Sequence, residues 1–279
     1  MRMGPRLKAA LLSALLFAAC LLAWHVATLP KAGSGAAVDP EYAKLMGLDK
    51  SKSDGLPTLA QMGSTAWKQL SHPFYDAGSN DKGIGIQLAY SLARVGLGFT
   101  LAALVAIPLG FVIGLSPLVH RALNPFIQVL KPISPLAWMP LALYTIKDSA
   151  ASSIFVIFIC SVWPMLINTA HGVASVRREW LNVARTLEAG TWRTCVQVIL
   201  PAAAPVILTG MRISMGVAWL VIVAAEMLVG NLGIGYFVWN EWNNLSLPNV
   251  IFAILTIGIV GMLLDLAFAR LQKAVTYVD

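Results

Sequence analysis

The sequence predicts an all-α, multi-pass membrane protein with six transmembrane helices. Three observations carry this. The chain of 279 residues is 58% hydrophobic and only 12% charged, against about 25% charged residues in soluble domains. Several continuous apolar runs reach the ~20 residues needed to cross a bilayer, which favours helices over the alternating pattern of a barrel. The net charge of +7 is distributed so that basic residues fall on one side of the predicted spans. That placement explains the charge better than nucleic-acid binding does.

The first span runs from about Leu7 to Leu29, after Arg2, Arg6 and Lys8. Its apolar run continues past Cys20 through Trp24, longer than the core of a signal peptide. A retained anchor with an inside N-terminus is expected over residues 1–30. Residues 31–82 are polar, with Asp39, Glu41, Asp49, Asp54, Asp76 and Asp81 balanced by Lys31, Lys44, Lys50, Lys52, Lys68 and Lys82 and no Arg. This is expected as an external loop. Within it Leu56–Leu70 places Leu59, Met62, Ala66, Trp67 and Leu70 on one face, as an interfacial helix would.

A five-helix core is expected over residues 83–279. The second span covers about Ile84 to Gly114 and ends in a Gly110/Gly114 pair that permits close helix approach. His120 and Arg121 put the following turn inside. The third span, about Ala122 to Ile146, holds Pro125, Pro132, Pro135 and Pro140. Each removes a backbone donor, so this element is expected to be kinked or broken. Lys147–Ser153 is the expected outer turn, and the fourth span runs from about Ile154 to Val173. The fifth runs from Pro201, suited to a first helical position, to about Val229. The sixth covers about Asn249 to Ala269, before Arg270 and Lys273. Both termini are expected inside.

Residues 177–200 form the long stretch between spans that mixes basic, acidic, apolar and Gly residues in helical order. Trp180, Val183, Ala184 and Leu187 follow an i, i+3, i+4, i+7 pattern that defines one apolar face. Gly190 suits a helix-ending turn and Thr191 a cap for the next helix. Two readings fit: a knob docking into a groove on another protein, or a helix lying on the inner leaflet.

Charges inside the spans mark further candidates. Arg94, Arg212, Glu226 and Asp265 lie in apolar runs, where ionised groups usually face the interior or a cavity. Arg94 and Arg212 either offer an anion an electrostatic step, or pair with Glu226, Asp265 or carbonyls to hold helices together. Tyr236, Phe237, Trp239 and Trp242 at the outer edge make either an aromatic interface belt or, with Glu241, an outer gate or docking face. Cys20, Cys160 and Cys195 are solitary and the four His are scattered, so no metal or disulfide is expected. Motifs such as HExxH, GxSxG and GxxxxGK[ST] are missing from the sequence, so no catalytic centre, cofactor site or ATP site is expected in this chain.

Asn182–Gly190 followed by Val198–Ala203 resembles the EAA loop of ABC-importer permeases. Ala184 and the Leu200-Pro201 ending match that loop. Asn182 stands where the family has its leading Glu, and Glu188 where it has Gly. Leu130–Leu141, with Gly210–Ser214 and Val217–Leu228, resembles the branch that imports nitrate, bicarbonate, cyanate, sulfonates and taurine. Lys147-Asp148, Ile154–Phe158, Trp163–Thr169 and Gly233–Asn243 are similar to nitrate and bicarbonate permeases. The resemblance covers about Leu88 to Leu271.

It implies the type I importer permease fold and a subunit of a bacterial inner-membrane importer for a small oxyanion, most readily nitrate, with nitrite, bicarbonate, cyanate or sulfonate as alternatives. It also implies a second copy of the chain, two cytosolic ATPases that bind ATP and Mg, and an external binding protein. The ATPase-coupling residues would be Trp180, Val183, Ala184, Arg185, Leu187, Glu188 and Gly190. An ion-coupled secondary transporter would instead show inverted repeats, and none is visible.

Overall fold

The structure is a computed structural model and describes residues 5–28, 56–78, 81–230 and 232–275. Most of the expected external loop, residues 31–55, lies outside the described residues. The chain divides into two compact units. One takes the chain through His72 together with Glu241–Phe252; the other takes Pro73–Asn240 and the chain from Ala253.

In the first unit, helix α1 (Pro5–Ala27) is apolar and exposed from Leu7 onward except at the half-buried Trp24. Helix α2 (Leu59–Ser71) starts three residues later than the sequence suggests. Thr58 takes the N-cap: its hydroxyl accepts from Gln61 N, and its own N–H donates 2.9 Å to Gln61 Oε1. This reciprocal capping box satisfies two otherwise orphaned donors. Trp24 Nε1 donates 2.8 Å to Pro57 O and ties the end of α1 to the entry of α2. Trp67 and Leu70 are exposed on α2, while Gln69 is turned inward.

In the second unit, α3 (Ile84–Leu115), α6 (Ser149–Ala174) and the long α8 (Thr191–Val229) pack around Ile157, Met165 and Ile222, all nearly inaccessible. The Gly110/Gly114 pair sits on the α3–α6 seam. A Cβ at Gly110 would lie 2.6 Å from Thr169 Cβ, so only glycine allows this approach.

The third span is broken, as its prolines require. α4 (Pro117–Leu130) and α5 (Pro135–Ile146) meet at 91°. Pro132 cannot donate a backbone bond and Pro135 opens the second half. The outer turn is shorter than expected. Asp148 caps α6 by accepting 2.7 Å from Ala151 N, so the helix begins at Ser149 rather than near Ile154.

Two sequence expectations about the inner loop are corrected. α7 (Arg178–Thr186) ends at Leu187, and Glu188, not Gly190, takes the left-handed conformation, at φ 50°. Gly190 is the N-cap of α8, and Thr191 is its first residue rather than its cap. The fifth span therefore starts ten residues before Pro201. A π-helical turn at Cys195–Ile199 immediately precedes that proline, and Leu200 N bonds to Cys195 O across five residues. The widened turn lets the helix absorb a residue that would clash with a regular preceding turn.

Helix α9 (Ile234–Asn243) is short, and α10 (Leu247–Val275) closes the described chain. Among the described residues, five helices are long and apolar enough to cross a membrane, or six if the bent α4–α5 pair is one span.

Candidate functional site

Two charges predicted within the spans form one buried cluster near the outer end of α8. Arg94 on α3 donates 2.8 Å to Glu226 Oε1 on α8, and the same Nη1 donates 2.5 Å to Leu232 O. The Arg94 side chain is 9% exposed and Glu226 is inaccessible. Ser91, one turn before Arg94, donates 2.8 Å to Glu226 Oε2 and accepts 2.9 Å from Ile234 N. Gly235 N donates 3.0 Å to Glu226 Oε2, and Gly233 N donates 2.7 Å to Gln87 Oε1. A buried carboxylate is tolerated only when it is paired and fully hydrogen-bonded, and this one is.

Gly233, just before α9, lies directly against that carboxylate. At Gly233, with φ 159°, an added Cβ would run into the Glu226 carboxyl group. Glycine is therefore required there on two counts, conformation and space.

Arg212 and Asp265 form the second ion pair. Arg212 Nε and Nη2 donate 2.5 and 2.6 Å to the two carboxylate oxygens of Asp265 on α10, a bidentate fork. Their side chains are 38% and 50% exposed. By helix rise, each lies about 26 Å along the axis from the outer end of its helix. Polar contacts continue along the seam, with Trp219 Nε1 donating 3.0 Å to Ile257 O and Gln272 Nε2 donating 2.8 Å to Thr209 Oγ1. Long side chains join α10 to α8 here.

The predicted coupling residues separate into two faces. Leu181 packs beside the buried cluster of Val173, Ile199, Ala203 and Ile207. Ala184, three residues on, is 4% exposed. Trp180, Val183 and Leu187 point away at 46%, 58% and 75% exposure, and Trp192 joins them at 82%. Apolar residues at 180, 181, 183, 184 and 187 span more than one stripe, and the inner core selects which stripe is covered. Ala184 thus anchors the knob, and the outer stripe is what it presents. Arg185 and Glu188 are also exposed.

At the outer end, α9 carries the predicted gate residues. Trp239 and Trp242 are exposed and Tyr236 is half-buried, whereas Phe237 is turned into the interior. Glu241 accepts 2.7 Å from Asn249 Nδ2 and is engaged within the chain. Among the described residues no group of three or more His, Cys, Asp or Glu is placed to hold a metal ion.

Residues 106–277 match the family of binding-protein-dependent transport system inner membrane components. The chain belongs to this family. The permease is 44% identical over 224 residues to the nitrate import permease protein NrtB of Synechocystis sp., covering 80% of this chain and 82% of that relative. It is 45% identical to the corresponding protein of Leptolyngbya laminosa, over 74% of each chain. It is also 44% identical to the bicarbonate transport system permease protein CmpB of Synechocystis sp., over 74% of each chain. Among solved structures, the inward-facing MetNI methionine ABC transporter matches with a TM-score of 0.63 at 14% identity, covering 70% of this chain and 96% of that one. That likeness concerns the fold.

The permease's polar cluster also contains Gln87 and Ser91, which were not among the predicted site residues. Gln87, Ser91 and Arg94 recur at i, i+4 and i+7, a polar stripe on one face of an otherwise apolar helix. That periodicity was the available signal. The partners from 232–235 had none, because their contribution is backbone N–H and C=O.

Proposed function

We propose that this permease subunit forms, with a second copy of itself, the membrane path of an ATP-driven importer for a small inorganic oxyanion, nitrate. The observation that carries this is the 44% identity to NrtB over 80% of the chain. Bicarbonate is the second reading, favoured by the equal identity to CmpB. Both anions are planar, trigonal and singly charged, so one pathway chemistry suits either, and selection falls to an external binding protein. ATP and Mg belong to two cytosolic ATPase subunits, since this sequence carries no GxxxxGK[ST] loop.

The exposed stripe of Trp180, Val183, Leu187 and Trp192 supports ATPase docking in the helix-in-groove manner. The pairing of Arg94 with Glu226 favours a lock between helices over a binding step for the anion. Arg212 is the stronger pathway candidate, because its exposed pairing with Asp265 would be costly against lipid. Tyr236, Trp239, Glu241 and Trp242 are assigned to the outer gate or the binding-protein face. The setting is a bacterial inner membrane.

The test is reconstitution of the permease with its ATPases and binding protein in liposomes, with ATPase stimulation measured one anion at a time. Stimulation and uptake with nitrate are expected. A response to bicarbonate alone overturns the nitrate assignment, and uptake without ATP overturns the importer assignment.

A further inference from the structure

Helix α4 carries His120, Asn124, Gln128 and, just past its end, Lys131. The spacing i, i+4, i+8, i+11 puts all four on one face. That face lines two adjoining cavities, of about 500 Å³ and about 140 Å³. Both cavities contain Ile113, His120, Ile167 and Ala170, so they form one groove. The larger opens at the inner end of the fold, beside Arg121 and His171. The smaller climbs to Lys131, at the 91° break of the third span.

Two features give the groove a direction. It reaches Leu166, which lies about 12 Å along α6 from the inner end at Ala174, by helix rise. Its polar side chains therefore extend from the inner mouth into the membrane. Among the described residues, His120, Arg121, Asn124, Gln128, Lys131 and His171 make no side-chain hydrogen bond or ion pair within the chain, and no acidic residue lines either cavity. Cationic and amide donors are held open, with no internal counter-charge.

We propose that this groove is the cytosolic half of the oxyanion's path, with Lys131 as its deepest cationic step. The inference rests on the oxyanion-import reading above. A lysine at this depth is costly against lipid, and a broken helix at membrane depth occurs only where backbone lines a cavity or is covered by protein. Lys131 lines the smaller cavity, and this gives the break its aqueous face. The distribution of donors separates this from a lipid headgroup site. A phospholipid carries its charge at one level, whereas these donors are spread over about 16 Å of helix axis. Asn124 and Gln128 supply hydrogen bonds to anion oxygens between the charged ends, where an acyl chain would use none. The donors are spaced singly rather than gathered into a cage, as conduction requires binding weak enough to release.

The experiment uses the complete importer in liposomes, with Cys20, Cys160 and Cys195 replaced by Ser. Asn124→Cys and Gln128→Cys are labelled from the cytosolic side with an anionic sulfonatoethyl and a cationic trimethylammonioethyl methanethiosulfonate. Both positions are expected to react. The anionic reagent should be favoured about 5-fold relative to a free thiol, and Lys131→Met should abolish that preference at Gln128→Cys. Failure to label, or equal rates for the two charges, overturns the proposal whichever anion is carried.

In parallel, Lys131→Met is expected to lower uptake of isotopically labelled nitrate about 10-fold in complexes that still assemble, and Lys131→Arg to restore it. Undiminished uptake by Lys131→Met overturns the proposal. Wild-type complexes that carry no nitrate but keep the charge-selective labelling overturn the nitrate reading and support the groove.

Discussion

Replacing Glu226 with Leu removes the acceptor on which Arg94, Ser91 and Gly235 N converge. Arg94 keeps one bond, to Leu232 O, but its buried charge loses its counter-charge. Breaking a buried pair from one side costs about 3–5 kcal/mol. At about 2–4 °C per kcal/mol for a chain of this size, the unfolding midpoint should fall by roughly 10 °C. The double variant Arg94→Met/Glu226→Leu removes the stranded charge as well. It should recover most of the loss and leave about 1–2 kcal/mol for the Ser91 hydroxyl and the orphaned backbone groups. The coupling between the two sites should therefore be about 2 kcal/mol or more. Thermal unfolding of the four purified permeases in lipid nanodiscs, followed by tryptophan fluorescence, measures it. If the double variant is no more stable than Glu226→Leu, or if Glu226→Leu melts within about 1 kcal/mol of wild type, the buried ion pair is not what fastens α3 to α8.

Three further outcomes are expected. Glu188→Gly relieves a left-handed residue worth about 1–2 kcal/mol, less about 0.5–1 for glycine's greater chain freedom, so a slight rise in stability and slower amide exchange at 187–190 are anticipated. Leu187→Asp, on an exposed side chain, should leave the melting midpoint within about 0.5 kcal/mol of wild type and abolish co-purification of the ATPases; Ala184→Asp, at a buried site, should lower the midpoint by about 2 kcal/mol or more. Ahead of α3, the Lys82 ammonium and the Gly78 N–H hold the Asp76 carboxyl below its ordinary value of 3.8. A depressed folded-state value means that the bond stabilises the turn at its Asp76–Lys82 bridge at neutral pH and is lost as pH falls through that lowered value. Amide exchange in this turn should accelerate there, and Asp76→Asn should show no such step.

What the sequence disclosed follows what each signal depends on. The spans were legible because hydropathy and charge bias are local. The break at residues 131–134 was legible because proline acts on its own backbone. Whether Arg94 and Arg212 were paired was not legible, since their partners lie 132 and 53 residues away. The apolar pattern of 180–187 disclosed a helix but not which stripe is covered, because that choice belongs to the cluster around Ile199 and Ala203 beneath it.

Pro201 illustrates the remaining gap. Proline usually stops or opens a helix, so it suggests a boundary. Here the chain keeps the helix and shifts the irregularity to the five preceding residues. A π turn sacrifices one regular hydrogen bond and gains continuity between Thr191 and the span that follows Pro201. The unbroken α8 runs from Thr191, next to the exposed knob, to Val229, three residues beyond the buried Glu226. This rod is fastened near Val229 by Arg94 and Ser91 and held at its middle by the exposed fork to Asp265. Of the two fastenings, the one to Glu226 is buried, so removing either partner there strands an uncompensated charge.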